Sequence, residues 1–256
     1  MSHLLLTFVV ALGMMTALWP LSVWLKDVSI VDILWAPAFA ILALICAAPF
    51  TAMTARRSAV LALVWIWALR LGIHVYRRWR KLGHEDYRYA AIRRGRGPNF
   101  PWTSLFFVFW LQGLLLWMIS WPLQAVFSYA RPLGWLDGIA LVLVTGGIAI
   151  EAVADAQLTR FRSDPGNQGH VLDTGVWAWS RHPNYFGDFA VWWGFFAFGI
   201  AAGGPWWTIL GPIAMSALLI HYSGGGLMEE TIAERRRGYA DYVRRTSFFV
   251  PWPPRN

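Results

Sequence analysis

The sequence predicts an all-α integral membrane protein with seven transmembrane helices, its N-terminus outside and its C-terminus in the cytoplasm. Three observations lead there. Of 256 residues, 57% are hydrophobic and the mean hydropathy is +0.44, well above the apolar share of an ordinary soluble domain. Seven apolar runs approach the ~20 residues that a helix needs to cross a bilayer. The basic residues crowd into alternate connections between those runs, the pattern that keeps positive loops on the cytoplasmic side.

In order, the expected spans are Leu4 to Leu25, Ile30 to Phe50, Ser58 to Tyr76, Ser104 to Val126, Gly134 to Leu158, Asn184 to Gly203 and Pro205 to Tyr222. Met1-Ser2-His3 has no basic start and no small-x-small cleavage site follows, so the first run reads as a span and not as a signal peptide. Ala202-Gly203-Gly204-Pro205 is a short breaker between two spans. No internal repeat or low-complexity tract is visible, and 1–256 reads as a single multi-pass membrane domain with its polar signal in the half from about residue 151 to 256. A bacterial inner membrane or the endoplasmic reticulum would suit it.

Orientation follows from the cations. Lys26 follows span one, and Arg77, Arg78, Arg80, Lys81, Arg88, Arg93, Arg94 and Arg96 follow span three. Arg160, Arg162 and Arg181 follow span five, and Arg235, Arg236, Arg237, Arg244, Arg245 and Arg255 follow span seven. Only Arg56, Arg57 and Arg131 fall on the opposite face. A net charge of +8 laid out this way sets topology and meets anionic headgroups, and does not point to nucleic acid. Membrane lipid is therefore an expected partner, and no obligatory protein partner is evident.

This topology gives each polar residue a depth. Asp32 opens span two from the cytoplasmic side, Arg70 and His74 sit near the inner end of span three, and Glu151 and Asp155 near that of span five. Asn184 and Asp188 start span six and His221 ends span seven, while Gln112 near mid-span and Asp137 at the outer edge stand apart. An unpaired charge in hydrocarbon is expensive, so this sorting predicts a polar pocket open to cytosolic solutes.

Glu151 and Asp155, four apart, share a helix face that extends toward Arg162. They read equally as an interhelical ion pair or as part of a ligand site. Arg181 to Asp188, RHPNYFGD, reads as a loop-to-helix junction: His182 ends the loop, Pro183 suits a first helical turn, and Asn184 and Asp188 stack at i and i+4. Such an N-terminus favours an anionic ligand, and helix capping is the plainer alternative. Glu85 to Tyr89, EDYRY, lies within the basic loop, where its acids and aromatics could grip a nucleotide or merely be solvated. Glu229 and Glu230 fall past span seven, and the tail YADYVRRTSFFVPW brings apolar residues back as an interfacial lid. GxGxxG, P-loop and HExxH patterns are absent, Cys46 is the single cysteine, and the histidines are dispersed, so no metal site is expected.

RHPNYFGD ahead of an apolar helix, preceded by the DxQxxxFR segment Asp155 to Arg162, resembles the membrane steroid 5-alpha-reductase family and the related sterol reductases. The resemblance spans roughly residues 28 to 252 and is densest from Glu151. It implies a seven-helix enzyme that uses NADPH to reduce a carbon-carbon double bond conjugated to a ketone in a hydrophobic substrate, a steroid or another enone lipid. It carries cofactor binding onto Asp155, Arg162, Asn184, Tyr185 and Asp188, and further onto Glu151, Arg78, Arg88, Arg160 and His182. Asp32 and Tyr185 are the catalytic candidates it implies. In the family a Glu/Tyr pair holds the substrate ketone; Asp32 stands at the carboxylate position, whereas the tyrosine position falls near Trp67.

The expected chemistry is hydride transfer, with Asp32 meeting the charge that develops on the ketone oxygen. Isoprenylcysteine-type methyltransferases are similar in an RHPxYxG signature and bind S-adenosylmethionine, but usually lack the Asn and Asp found here at 184 and 188. A non-catalytic transporter or scaffold is the other alternative, against which stands the lack of a matched pair of broken helices.

Overall fold

A computed structural model describes residues 3–224 and 238–255. Arg235, Arg236, Arg237, Glu229 and Glu230, singled out above, lie outside the described residues. Those described form helices joined by turns and loops, with no strand. Five helices are long and apolar enough to cross a membrane: His3–Leu25, Ile30–Ala47, Ala55–Leu82, the stretch Tyr87–Ile119, and Trp135–Ser163. Many of their large apolar side chains face outward, as they would toward lipid, Val9, Leu69, Phe106 and Val142 among them. The fold is thus that of a multi-pass helical membrane protein.

The chain forms two compact units, one of Met1–Leu133 with Phe198–Thr208, the other of Gly134–Ala197 with Ile209–Asn256. The first contains α1 (His3–Leu25), α2 (Ile30–Ala47), α3 (Ala55–Leu82), α4 (Tyr87–Arg96), α5 (Phe100–Ser104), α6 (Leu111–Ile119) and α7 (Trp121–Ser128). Thr54 caps α3 by accepting from the Arg57 N–H, and Gly83, at φ 69°, ends it in the left-handed conformation that glycine adopts without strain. A Cβ at Gly72 would touch the Pro37 ring at 3.0 Å, which measures how closely α2 and α3 approach.

Two expectations change here. The basic connection after span three is not a loop throughout: Asp86 caps α4 by accepting from the Arg88 N–H, so EDYRY opens a helix. Span four is not one rod from Ser104 to Val126. It starts at Phe100, continues through a π-helical stretch at Leu105–Trp110, and breaks at Ser120, after which Pro122 stands in the first turn of α7. Proline fits a first turn because it has no N–H to leave unbonded.

The second unit contains α8 (Trp135–Ser163), the start of α9 (Pro183–Ala201), α10 (Leu210–Ala217) continued by a π-helical turn at Leu218–Gly224, and α11 (Tyr239–Arg245). Asp137, an outlier by depth, is explained by the start of α8, where its carboxylate accepts from the Gly134 N–H at 2.8 Å. α9 is 19 residues long, and Asn184, Tyr185 and Asp188 fall in its first two turns.

Arg56 and Arg57, two of the three cations set apart from the basic connections, have local work. Arg56 donates to the carbonyls of Arg131 and Pro132 at 2.7 and 3.0 Å. Arg57 donates to Val126 O and Phe127 O at the end of α7, at 3.5 and 3.0 Å, with its guanidinium 3.8 Å above the Phe50 ring. The last carbonyls of a helix lack partners within it, and a guanidinium satisfies them while complementing the dipole.

Candidate functional site

In the second unit, glycines bring α8 and α9 together. A Cβ at Gly147 would lie 2.5 Å from Gly187 O, one at Gly187 would lie 2.6 Å from Gly147 O and 2.7 Å from Glu151 N, and one at Gly194 would meet Val144 at 2.5 Å. The backbones meet because side chains are missing along that line, the small-residue packing common between membrane helices. One and two turns along α8, Glu151 and Asp155 are buried, 3% and 6% exposed, and so is Asp188 on α9 at 7%. Asn184 donates from Nδ2 to Asp155 Oδ1 at 3.3 Å. Of these four residues, the packing joins Asn184 to Asp155 across the two helices.

The junction ahead of α9 is held from two sides. Val176 N donates to Gln157 Oε1 at 3.1 Å and Trp177 Nε1 to Ala154 O at 3.1 Å, both on α8. Gly175, at φ 62°, takes the left-handed conformation that glycine adopts without strain, and a Cβ there would displace the end of the Gln157 side chain that accepts from Val176 N. From the other side comes the tail: Arg181 N donates to Ser247 O at 2.9 Å, Ser180 Oγ to Phe249 O at 2.8 Å, and Trp252 N to Trp179 O at 2.9 Å. Tyr242 OH on α11 donates to Trp177 O at 2.7 Å. Phe248 meets the His182 ring edge-on at 5.3 Å, and Phe249 meets Phe186 and Phe189 at 5.9 and 5.5 Å. His182 in turn stacks on Tyr185 at 5.7 Å. The returning tail is therefore a strap over the RHPNYFGD junction. Arg160 and Arg162 are exposed on the last turns of α8, and Arg160 lines an open groove of about 530 Å³ with Gln157, Asn167 and Thr174.

The first unit holds a second polar cluster, of which the sequence reading contained only part. Asp32 accepts from Arg88 on Oδ2 at 2.9 Å and from Tyr89 OH on Oδ1 at 2.6 Å. Gln112, the mid-span outlier, donates from Nε2 to Tyr89 OH at 3.1 Å. Arg88 also reaches Asp86 at 3.0 Å, and Arg78 meets the other oxygen of Asp86 at 3.2 Å. Burial alone would raise the Asp86 carboxyl, but the hydrogen bonds and charge of Arg88, with Arg78 beyond, hold it below the usual carboxylate range.

Beside this lies a second layer. Arg93 grips Glu85 with two nitrogens, at 2.8 and 2.7 Å, and Glu85 accepts from Val28 N at 2.9 Å. Trp79 Nε1 donates to Asp27 Oδ2 at 2.7 Å, and Ser29 donates to the same carboxylate. Together these bonds tie the connection between α1 and α2 to α3 and α4. Arg78 and Arg88, expected at a cofactor, are engaged by carboxylates of their own unit. Trp67, near the expected tyrosine position, is buried and packs against Phe39 at 5.9 Å. The hydroxyl that reaches Asp32 belongs to Tyr89. Tyr89 and Arg93, four apart on one face of α4, carried a helical signal within a segment read as loop.

Comparison with known proteins adds a family. An uncharacterized protein of Schizosaccharomyces pombe is 28% identical over 276 aligned residues, covering 97% of this chain and 78% of its own length. No solved structure matches. The family model described as "Protein of unknown function (DUF1295)" matches residues 18–246, and the chain therefore belongs to the DUF1295 family.

Proposed function

We propose that this protein is an NADPH-dependent membrane reductase acting on a carbon-carbon double bond conjugated to a ketone in a hydrophobic substrate. The observation that carries the reading is the Tyr89 hydroxyl at 2.6 Å from Asp32. A carboxylate and a tyrosine are the pair that the resemblance to the steroid 5-alpha-reductases calls for at the ketone, and Tyr89 supplies the partner missing near Trp67. Both Asp32 oxygens accept hydrogen bonds, one from a guanidinium, so Tyr89 is the donor of the pair and Asp32 its anchor. Gln112 Nε2, donating to the phenol oxygen, keeps that oxygen in place as its O–H turns from Asp32 to a ketone. Charge growing on the ketone oxygen would then be met by a buried donor already held in position by Asp32 and Gln112.

The residues of the α8–α9 seam fit the cofactor by donor type. Glu151, Asp155 and Asp188 offer acceptors, which suit amide and ribose hydroxyl donors, and Arg160 and Arg162 at the end of α8 offer the bidentate geometry that phosphates take. NADPH, when bound, supplies the hydride. Asn184 and Asp188 would orient it, and the strap at Ser247 to Trp252 would exclude water from the junction.

The same reading has seven crossings, with α9 and the helical stretch 206–224 as the last two, the N-terminus outside and the tail cytoplasmic. Protein purified in detergent and extracted for mass analysis should release NADP(H), and NADPH should raise its melting temperature. Recovery of S-adenosyl compounds instead, or no response to nicotinamide nucleotides, would overturn the proposal.

A further inference from the structure

The basic segment that closes α3 and forms α4 divides its cations into two sets. Arg78, Arg88 and Arg93 are engaged by Asp86, Asp32 and Glu85. Arg77, Arg80, Lys81 and Arg94 are exposed and, among the described residues, meet no acidic or carbonyl partner. Arg96 is exposed too, its guanidinium 3.6 Å above the Phe107 ring. The acids nearest in sequence, Glu85 and Asp86, are already held by other arginines, so the charge of the second set faces outward uncompensated.

Helix length gives this edge its depth. α3 has 28 residues, about 42 Å at 1.5 Å per residue, against roughly 30 Å of hydrocarbon. In the next stretch α4 ends at Gly97, at φ 65°, and the apolar part from Phe100 to Ile119 is by itself long enough to cross. In both stretches the part beyond the crossing is the cationic end. Aromatic side chains stand exposed around it: Tyr76 at 44%, Tyr87 at 54%, Trp102 at 70% and Trp24 at 77%. Tryptophan and tyrosine collect where headgroups begin, because the ring is apolar and the N–H or O–H needs water.

We infer that Arg77, Arg80, Lys81, Arg94 and Arg96 form a docking surface for anionic phospholipid headgroups, with the surrounding aromatics setting its depth. The charge is complementary, and the aromatic rim marks lipid and not a soluble polyanion. This inference stands apart from the reductase reading, since it involves neither Asp32, Tyr89 nor the α8–α9 seam.

The test uses the full chain in nanodiscs of phosphatidylcholine, with and without phosphatidylglycerol. Phosphatidylglycerol should raise the melting temperature, and the rise should shrink in 1 M salt, where the Debye length is about 3 Å. A variant with all five cations changed to Gln should melt with the parent in pure phosphatidylcholine and lose the rise. An equal rise in the variant would overturn the inference, and so would an equal rise produced in pure phosphatidylcholine by heparin, a soluble polyanion. Should the quintuple variant misfold, Arg80→Gln/Arg94→Gln is read by quenching: brominated phosphatidylglycerol should quench the fluorescence lost in Trp102→Phe at least about fivefold better than brominated phosphatidylcholine, the scale of one basic side chain near an anionic surface. The double variant should reduce that preference; equal quenching by both lipids in the parent would end the case.

Discussion

Replacing Gly187 by alanine tests the seam on which the candidate site is built. The new Cβ would lie 2.6 Å from Gly147 O, 2.7 Å from Glu151 N and 2.8 Å from Glu151 Cβ, where ordinary contact begins at 3.4 Å. Two of these neighbours are backbone of α8 and the third is the stem of a buried side chain, so none can swing aside. α8 and α9 must part by about 0.6 to 0.8 Å, and overpacking of this kind costs about 1–3 kcal/mol. At roughly 2–4 °C per kcal/mol for a chain of this size, melting should fall by roughly 2–12 °C. The Asn184 to Asp155 bond, already 3.3 Å, would lengthen past hydrogen-bonding range, so any shift produced by NADPH should shrink as well. Tryptophan fluorescence melting in detergent reads both quantities. Gly147→Ala should behave alike, whereas Gly146→Ala, whose Cβ would meet nothing within 4 Å, should match or exceed the parent. A Gly187→Ala protein that melts with the Gly146→Ala control would refute the close packing and the site geometry derived from it.

Tyr89→Phe keeps the buried ring and removes the hydroxyl, so it should depress turnover of an enone while leaving NADPH binding intact; Asn184→Ala and Asp188→Ala should do the reverse, as a titration of NADPH against melting temperature would read. Equal loss of binding in all three would end the division of labour. Arg57→Ala strips the end of α7 of two charged hydrogen bonds and a ring contact, a loss of about 2–4 kcal/mol, and Arg57→Lys should recover only part of it in thermal melts, since an ammonium lacks the planar fork. The depressed carboxyl of Asp86 makes its contribution to stability complete above its unfolded value, about 3.9, and lost as pH falls through the lower folded value. Melting temperature should therefore show no step from Asp86 between pH 5 and 8 and a decline below about pH 4 that is smaller in Asp86→Asn. Phe249→Ala uncovers Phe186 and Phe189, and should speed proteolysis of the tail without changing helix content by circular dichroism.

Apolarity is a local property, and what depends on it was legible along the chain. The run expected from Leu4 to Leu25 is the helix His3–Leu25, and Ile30 to Phe50 is the helix Ile30–Ala47. Glu151, Asp155, Asn184 and Asp188 could be chosen because a charge or amide in an apolar helix is conspicuous wherever it falls. The helical spacing of Glu151 with Asp155 and of Asn184 with Asp188 gave each pair a common face before any packing was known. The α4 helix was missed because its composition is that of a solvated loop; its order comes from the Asp86 cap and from Glu85 and Asp32 gripping Arg93 and Arg88, residues that sequence spacing does not bring together.

By itself the sequence determined a multi-pass helical membrane protein and marked which side chains are too polar for lipid to be there without cause. Only the tertiary structure decided who meets whom: Tyr89 with Asp32 across 57 positions of chain, Gln112 with Tyr89, Asn184 with Asp155 where glycines let two backbones touch. The physical reason is that burial can be read from one residue and its neighbours in the chain, whereas a hydrogen bond has a range of about 3 Å and exists only once helices have crossed at a particular point.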